Sequence, residues 1–513
     1  MSRIVPKLFA AELDGVNAEL IEVEADLNVG LHSFNIVGLA DKAVNEAKER
    51  VNSALKNCGI KPPTKENRRI TINLAPADVK KAGSRFDLPI ALAYLLASDQ
   101  IKPFETKDKI FVGELSLDGS LRPVNGTLSA ALLARAKGMK QVFVPEQNAT
   151  EASVVRGIEV IPVRNLKELI EHLEEINPIK AVPWTAVQPT YPESLVSFGE
   201  IRGQAGAKRA LLVAASGGHN IIMTGPPGAG KTMLAQALTS ILPPPTVEES
   251  IEITKIWSAV GLNTDSPFIN YRPYRAPHHS SSLVSIIGGG PNPRPGEVSF
   301  AHRGILFFDE TPEFHRDVLE SLRQPLEAGR VHVARARKSL IFPARFQFVA
   351  AMNPCPCGYF ESRERECRCA GHEVSRYKKR ISGPLLDRID IQLEVPALKI
   401  EELQRPISAA ENEERPMREA VVSARRIQAK RFKNTKPRIF SNAEMTSKMT
   451  EESIRLEDGA REYLTRILDR NFISARGYYR ILKVSRTIAD LKNSEEVKKE
   501  HLAEAFQYRL KHE

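Results

Sequence analysis

A chain of 513 residues exceeds what one hydrophobic core sustains, so two to four domains are expected. With 42% hydrophobic and 27% charged residues it reads as an ordinary soluble globular protein, and a formal net charge of +10 tilts its partners only mildly toward polyanions. The opening "MSRIVPKLFAAELDG" lacks the order of a secretory signal, and the longest apolar run, "LPIALAYLLAS", is too short to span a bilayer; a cytoplasmic location without membrane partners is expected.

The first segment, residues 1–172, alternates strand and helix signals. "LIEVEADL" reads as a strand, "DKAVNEAKERVNSALKN" places Val44, Ala47, Val51 and Leu55 on one helical face, and "RRITINLAP" returns to period two. "IFVGELSLDGSLRPV" predicts a hairpin turning at Asp118-Gly119, followed by a helix in "LSAALLARAKG" and strands in "QVFVP" and "IEVIPV". A compact α+β domain results. Residues 173–195, with Pro178, Pro183, Pro189 and Pro192, read as a linker. Residues 196–400 form an α/β region, and 401–513 a helical tail with apolar residues at helical spacing.

Within the α/β region, "NIIMTGPPGAGKTMLAQAL" carries a P-loop: Gly225, Pro226, Pro227, Gly228, Ala229, Gly230, Lys231 and Thr232 between an apolar strand and a helix. Glycines let backbone N–H groups turn inward around phosphates, Lys231 reaches the β/γ oxygens of ATP, and Thr232 offers a hydroxyl to Mg²⁺. "GILFFDE" ends a buried strand on Asp309 and Glu310, expected to coordinate Mg²⁺ and to orient or deprotonate the attacking water. A third strand, "RFQFVAAMNP", ends at Asn353, either a γ-phosphate sensor or a turn former before Pro354. Arg388 in "SGPLLDRID" is either a surface charge or a finger lent to a neighbour's ATP, which requires a ring.

Four of the five cysteines fall in "NPCPCGYFESRERECRCAGH". Cys355, Cys357, Cys367 and Cys369 give C-x-C-x₉-C-x-C, which suits a structural Zn²⁺; His372 could replace one ligand, and an intramolecular redox switch is the competing chemistry. Cys58, isolated in "LKNCGIKPP", reads as a small hydrophobe. "GRVHVARARKSLIFPARF" holds Arg330, Arg335, Arg337, Lys338 and Arg345 without an acid, a hairpin whose basic tip is either a solvated loop or a tracker of DNA phosphates. In "YRPYRAPHHSSSLVSIIGGGPNPRPGE", His278 and His279 are adjacent and on a strand would point opposite ways.

In the order "GPPGAGKT", "ILFFDE", "AAMNP", "SGPLLDRID" and "SARGYYRILKVSRTIADL", the chain resembles the magnesium-chelatase-like AAA+ ATPases, and specifically the YifB/ComM family, over nearly its whole length. The resemblance implies Asn353 as sensor 1, Arg388 as an arginine finger in trans and Arg476 as sensor 2. It implies a pore-facing hairpin before sensor 1, and a helix-2 insert as a second DNA-facing element with Arg272, Arg275 and Arg294. It also implies a homo-hexameric, ATP-driven DNA motor that promotes branch migration during recombination in natural transformation, on single-stranded and branched DNA and beside recombination proteins. The alternative is a magnesium-chelatase- or MoxR-like remodeller of a protein partner.

The first domain is similar to the proteolytic domain of Lon, a ribosomal S5 domain 2-like fold, so the expected architecture is multidomain α/β: this domain, an AAA+ core and a helical lid. Lon-type proteolysis needs a Ser–Lys pair. Ser84 lies near the nucleophile's position, but Leu128 replaces the lysine, so the domain is expected to be non-proteolytic, with Lys80, Lys81 and Arg85 exposed.

Overall fold

A computed structural model describes residues 5–65, 67–192, 196–262, 267–333, 339–362, 365–398, 410–436, 438–470 and 473–509. The chain divides into two compact units, Met1–Gln188 with Ser250–Ile269, and Pro189–Glu249 with Asn270–Glu513.

In the first unit, β1 (Lys7–Asp14), β2 (Asn17–Val29), β3 (Ser33–Val37) and β4 (Arg68–Ala75) form a sheet in the order β1-β2-β4-β3, with only the β3–β4 pair parallel. Strict alternation in β2 buries Ile21, Val23, Ala25 and Leu27 on one face and leaves acids on the other. That face packs on the helix Asp87–Ala97, buried almost all round, which explains the long apolar run. The predicted stripe Val44, Ala47, Val51 and Leu55 is buried, although the helix breaks at Glu46 into Lys42–Asn45 and Ala47–Asn57. A second sheet joins β5 (Lys109–Phe111), β8 (Gln141–Pro145) and β9 (Glu159–Val163) in parallel. Between them lies the hairpin of β6 (Glu114–Leu115) and β7 (Leu121–Arg122), its turn using Gly119 at φ +86°.

One reading is corrected here, and one segment groups in an unexpected way. Lys81 is fully buried, its ammonium bonded to the Pro76 carbonyl, and Arg85 is partly buried near Glu12, so only Lys80 of the expected basic face is exposed. Ser250–Ile269, within the range expected for the ATPase core, clusters with the first unit: Ile253 and Ile256 are buried, and the Ser258 hydroxyl and carbonyl each accept from the Gly126 N–H at 3.1 Å. Nothing in its periodicity signals that partner.

The second unit is built on five parallel strands: β10 (Ile221–Thr224), β11 (Tyr274–Arg275), β14 (Ile305–Phe308), β17 (Gln347–Met352) and β18 (Ile391–Glu394), in the order β11-β14-β17-β10-β18. Strands β10, β14 and β17 are buried throughout, as a sheet covered on both faces demands. All run in one direction, so the residues following β10, β14 and β17 gather at one edge. The insertion between β11 and β14 carries β12 (Gly288–Gly289) and β13 (Arg294–Pro295). The hairpin β15 (Arg330–Val333) and β16 (Leu340–Pro343) precedes β17.

Helices Ala410–Arg431, Asp458–Arg470, Ala475–Leu491 and Lys499–Gln507 form the C-terminal part. They are fixed to the α/β part by Arg209–Glu504, by Gln428 donating to the Ser216 carbonyl at 2.9 Å, and by Arg480, bonded to Asp390. Burial opposes the charge of Asp390, but Arg480 and His219 hold its carboxyl below the usual range. Among the described residues no helix is long and apolar enough to cross a membrane.

Candidate nucleotide site and cysteine cluster

The P-loop joins β10 to the helix Lys231–Ile241, with Gly228 and Gly230 at φ +78° and +83°, where a side chain would be strained. At Gly225 a Cβ would stand 2.1 Å from the Val395 carbonyl oxygen, so the chain passes too close for anything larger. Lys231 Nζ folds back into the loop, donating to the carbonyls of Gly225 (2.7 Å) and Pro226 (2.9 Å) and to Asn353 Oδ1 (3.1 Å). Burial lowers its pKa against the pull of Asp309 and Glu310. The ammonium thus lies among oxygens that a triphosphate can replace.

Thr232 Oγ1 donates to Asp309 Oδ2 at 2.7 Å across 77 residues of sequence, which puts a hydroxyl and a carboxylate together as a hard cation requires. Glu310 follows at φ +47°, a left-handed conformation costly for a residue with a side chain, while its N–H donates to Asp309 Oδ1 at 2.9 Å. The next residue secures the bend, as Thr311 Oγ1 bonds the carbonyls of Phe308 and Ala351. Lys231, Thr232, Asp309, Glu310 and Asn353 therefore share one edge of the sheet. These residues fit ATP with Mg²⁺, and Thr232 and Asp309 would hold the cation.

Arg388 and Arg476 meet elsewhere, at Glu327. Arg388 is buried, follows the short helix Gly383–Leu386, and donates to the Pro384 carbonyl at 2.6 Å and to Glu327 Oε2. Arg476, exposed on the helix Ala475–Leu491, reaches Glu327 Oε1 at 3.1 Å. The hydrogen bond from Arg388, with the charges of Arg388, Arg476 and Arg480, keeps the Glu327 carboxyl below the ordinary range. Sequence reasoning missed Glu327, which belongs to no motif. His278 and His279 lie beyond the end of β11 rather than on a strand, their rings 4.1 Å apart, and His279 Nδ1 is 4.0 Å from Glu310 Oε2.

The cysteine loop follows Asn353 directly. The sulfurs of Cys355, Cys357 and Cys367 lie 3.4 to 3.7 Å apart, and all four, with Cys369, lie within 4.8 Å of one another. Four thiolates at about 2.3 Å from a tetrahedral zinc stand about 3.8 Å apart, so the cluster fits a metal such as zinc. Backbone N–H groups of Tyr359 and Arg368 favour the Cys357 thiolate, pulling its pKa down to about 6. His372, exposed at the start of the helix Gly371–Lys378, is not in the group. At Gly358 a Cβ would stand 2.5 Å from Pro227 Cδ, so this loop rests on the P-loop itself.

The hairpin β15–β16 buries Val331, Val333 and Phe342 and exposes Arg330, while Arg335, Arg337 and Lys338 lie outside the described residues. Two of the three arginines expected on the insert are engaged in carboxylate pairs, Arg272 with Glu249 at 3.0 Å and Arg275 with Glu297 at 2.6 Å; Arg294 is exposed. In the first unit Ser84 bonds Glu114 rather than a lysine, and Leu128 is buried with its N–H on Glu151 at 2.9 Å.

A five-stranded parallel sheet with a P-loop, an acidic strand end and Asn353 at one edge, and helices behind it, defines an AAA+ protein of the magnesium-chelatase type. Family models agree: magnesium chelatase, subunit ChlI, over residues 197–403; subunit ChlI of Mg-chelatase over 23–148; and the ChlI C-terminal region over 411–509. The competence protein ComM of Haemophilus influenzae is 44% identical over 96% of this chain and 95% of its own, and YifB of Escherichia coli 40% identical over the same shares. The chain belongs to the ComM/YifB family. The Lon protease of Rhizobium meliloti is 28% identical over 31% of the chain and 20% of its own length.

Proposed function

We propose that the protein is an ATPase that assembles as a homo-hexameric ring and drives branch migration on single-stranded and branched DNA during the recombination step of natural transformation. The observation that carries the ring is that Arg388 and Arg476 bond Glu327 rather than the residues around the P-loop. Lys231, Thr232, Asp309, Glu310 and Asn353 complete one side of a nucleotide site, whereas Arg388 and Arg476 are gathered on Glu327, suited to meet the nucleotide of a neighbour. The DNA reading is supported by the exposed Arg330 on the hairpin β15–β16 and by the similarity to a competence protein. In this reading the first unit is a non-proteolytic, S5 domain 2-like layer, and the cysteine cluster is a zinc staple between sensor 1 and the finger.

The test is the ATPase rate with and without single-stranded and forked DNA at two salt concentrations. Strong stimulation that falls steeply with salt is expected of a DNA motor. An assembled, active ring indifferent to DNA would transfer the assignment to a remodeller of proteins, which uses the same ATP residues.

A further inference from the structure

At the amino ends of β14 and β17, the sheet edge opposite the P-loop, a cavity of about 80 Å³ is lined by Arg272, Arg303, Arg345 and Arg425 against Glu249 and Glu444. Four guanidinium charges thus face two carboxylates. Arg272 holds Glu249 with two bonds of 3.1 and 3.0 Å. Arg303 (3.2 Å) and Arg345 (2.6 Å) share one oxygen of Glu444. Among the described residues the hydrogen-bond partners of Arg425 are carbonyl oxygens, of Ala215 at 2.8 Å and Phe440 at 3.4 Å, not carboxylates.

An excess of two positive charges gathered in one half-open cavity, with Arg303 buried and the other three guanidiniums partly so, favours the entry of an anion. Burial, and after it the like charge of Arg272, pushes the Arg425 guanidinium down to about 10, a repulsion that a bound anion relieves. The cavity is polar and large enough for a small oxyanion with water. Guanidinium forks from several directions match tetrahedral oxygens better than they match a halide.

We propose that this cavity binds a phosphate-type oxyanion, either free phosphate or a phosphate group carried by a DNA strand. The site is independent of the ATP residues. It ties the foot of the hairpin, where Arg345 follows β16, to Arg425 of the helix Ala410–Arg431, so an occupant holds the hairpin and the helical part together.

The test is calorimetric titration of inorganic phosphate into the full chain saturated with MgADP, which fills the P-loop, at constant ionic strength. One phosphate per chain is expected. Ser441→Asp, which adds a carboxylate to the cavity wall, and Arg345→Gln, which removes one fork, should each weaken binding by about tenfold or more. Ser441 lies at the cavity and in no part of the P-loop, so a loss there assigns the phosphate to this site rather than to the space beside ADP. A flat wild-type titration, or unchanged affinity in folded Ser441→Asp and Arg345→Gln proteins, overturns the proposal. Competing oligonucleotides separate the sources: displacement by a 5′-phosphorylated strand alone assigns a strand end, by 5′-phosphorylated and 5′-hydroxyl strands alike an internal phosphate, and by neither, free phosphate.

Discussion

Glu327 holds Arg388, its Oε2 accepting from the buried guanidinium while Oε1 reaches Arg476 at 3.1 Å. One carboxylate therefore keeps together the arginine expected to act on a neighbour's nucleotide, Arg388, and the expected sensor 2, Arg476. Arg388→Ala should leave ATP affinity intact and lower turnover about 10³-fold or more. Mixing with Lys231→Ala subunits, which keep the finger, should restore activity; absence of rescue counts against a finger acting in trans. Glu327→Gln keeps the shape but loses the charge, and should lower turnover by roughly tenfold with unchanged nucleotide affinity, since a hydrogen bond to a charged group contributes about 1.5–3 kcal/mol. Turnover at the wild-type rate in this variant would remove Glu327 from the catalytic arrangement.

The strained Glu310, at φ +47°, follows the carboxylate that accepts the Thr232 hydroxyl. Glu310→Gln should bind ATP with near-native affinity and turn it over at least about 10³-fold more slowly, because the water loses its base. Lys231→Ala removes two hydrogen bonds within the loop and one to Asn353, as well as the expected contact to phosphate, and should abolish nucleotide binding. Fluorescent-nucleotide titration and single-turnover hydrolysis distinguish the two. An active Glu310→Gln enzyme overturns the assignment of the base.

The elements that sequence reading located are those whose signal is local. Strands β10, β14 and β17 announce themselves as unbroken apolar runs, and the P-loop, Asp309 and Asn353 sit at their ends. Glu327 was not legible because its partners lie 61 and 149 residues away and a lone glutamate on a short helix looks like any solvated acid. Lys81 and Arg85 misled for the converse reason: a charged pair beside glycine reads as surface, yet Glu12 anchors that loop by accepting from Ala82 N–H at 3.2 Å and draws it inward. The assignment of Ser250–Ile269 to the first unit rests on Ser258 and Gly126, which no periodicity connects.

The cysteine loop touches Pro227 through Gly358, so its integrity should be felt at the nucleotide. Stripping metal with a strong chelator, or Cys355→Ser, is expected to weaken ATP binding by about tenfold and to increase proteolysis of the loop, with re-addition of Zn²⁺ restoring the chelated protein alone. Elemental analysis should give one zinc per chain. If the metal leaves and nucleotide affinity, assembly and protease resistance are all unchanged, the cluster is not a staple of this site.

Glu12 makes the stability of the first unit depend on pH. Burial raises its pKa from 4.5 to about 7, and that of Asp87 to about 6, so between the unfolded and folded values the folded unit holds protons that the unfolded chain releases. Stability is then fullest below about pH 4.5 with respect to Glu12 and falls as pH rises through about 7. Glu12→Gln fixes the neutral form and keeps an oxygen for the Ala82 N–H, so it should flatten this part of the curve and leave the Asp87 part in place. At pH 8 the variant is expected to be more stable than the wild type by on the order of 1–3 kcal/mol, with little difference at pH 5. Both tryptophans of the chain, Trp184 and Trp257, belong to this unit, so urea unfolding followed by tryptophan fluorescence reads it directly. Parallel pH profiles in the two proteins would mean that Glu12 is ionised throughout and that Arg85 compensates its burial.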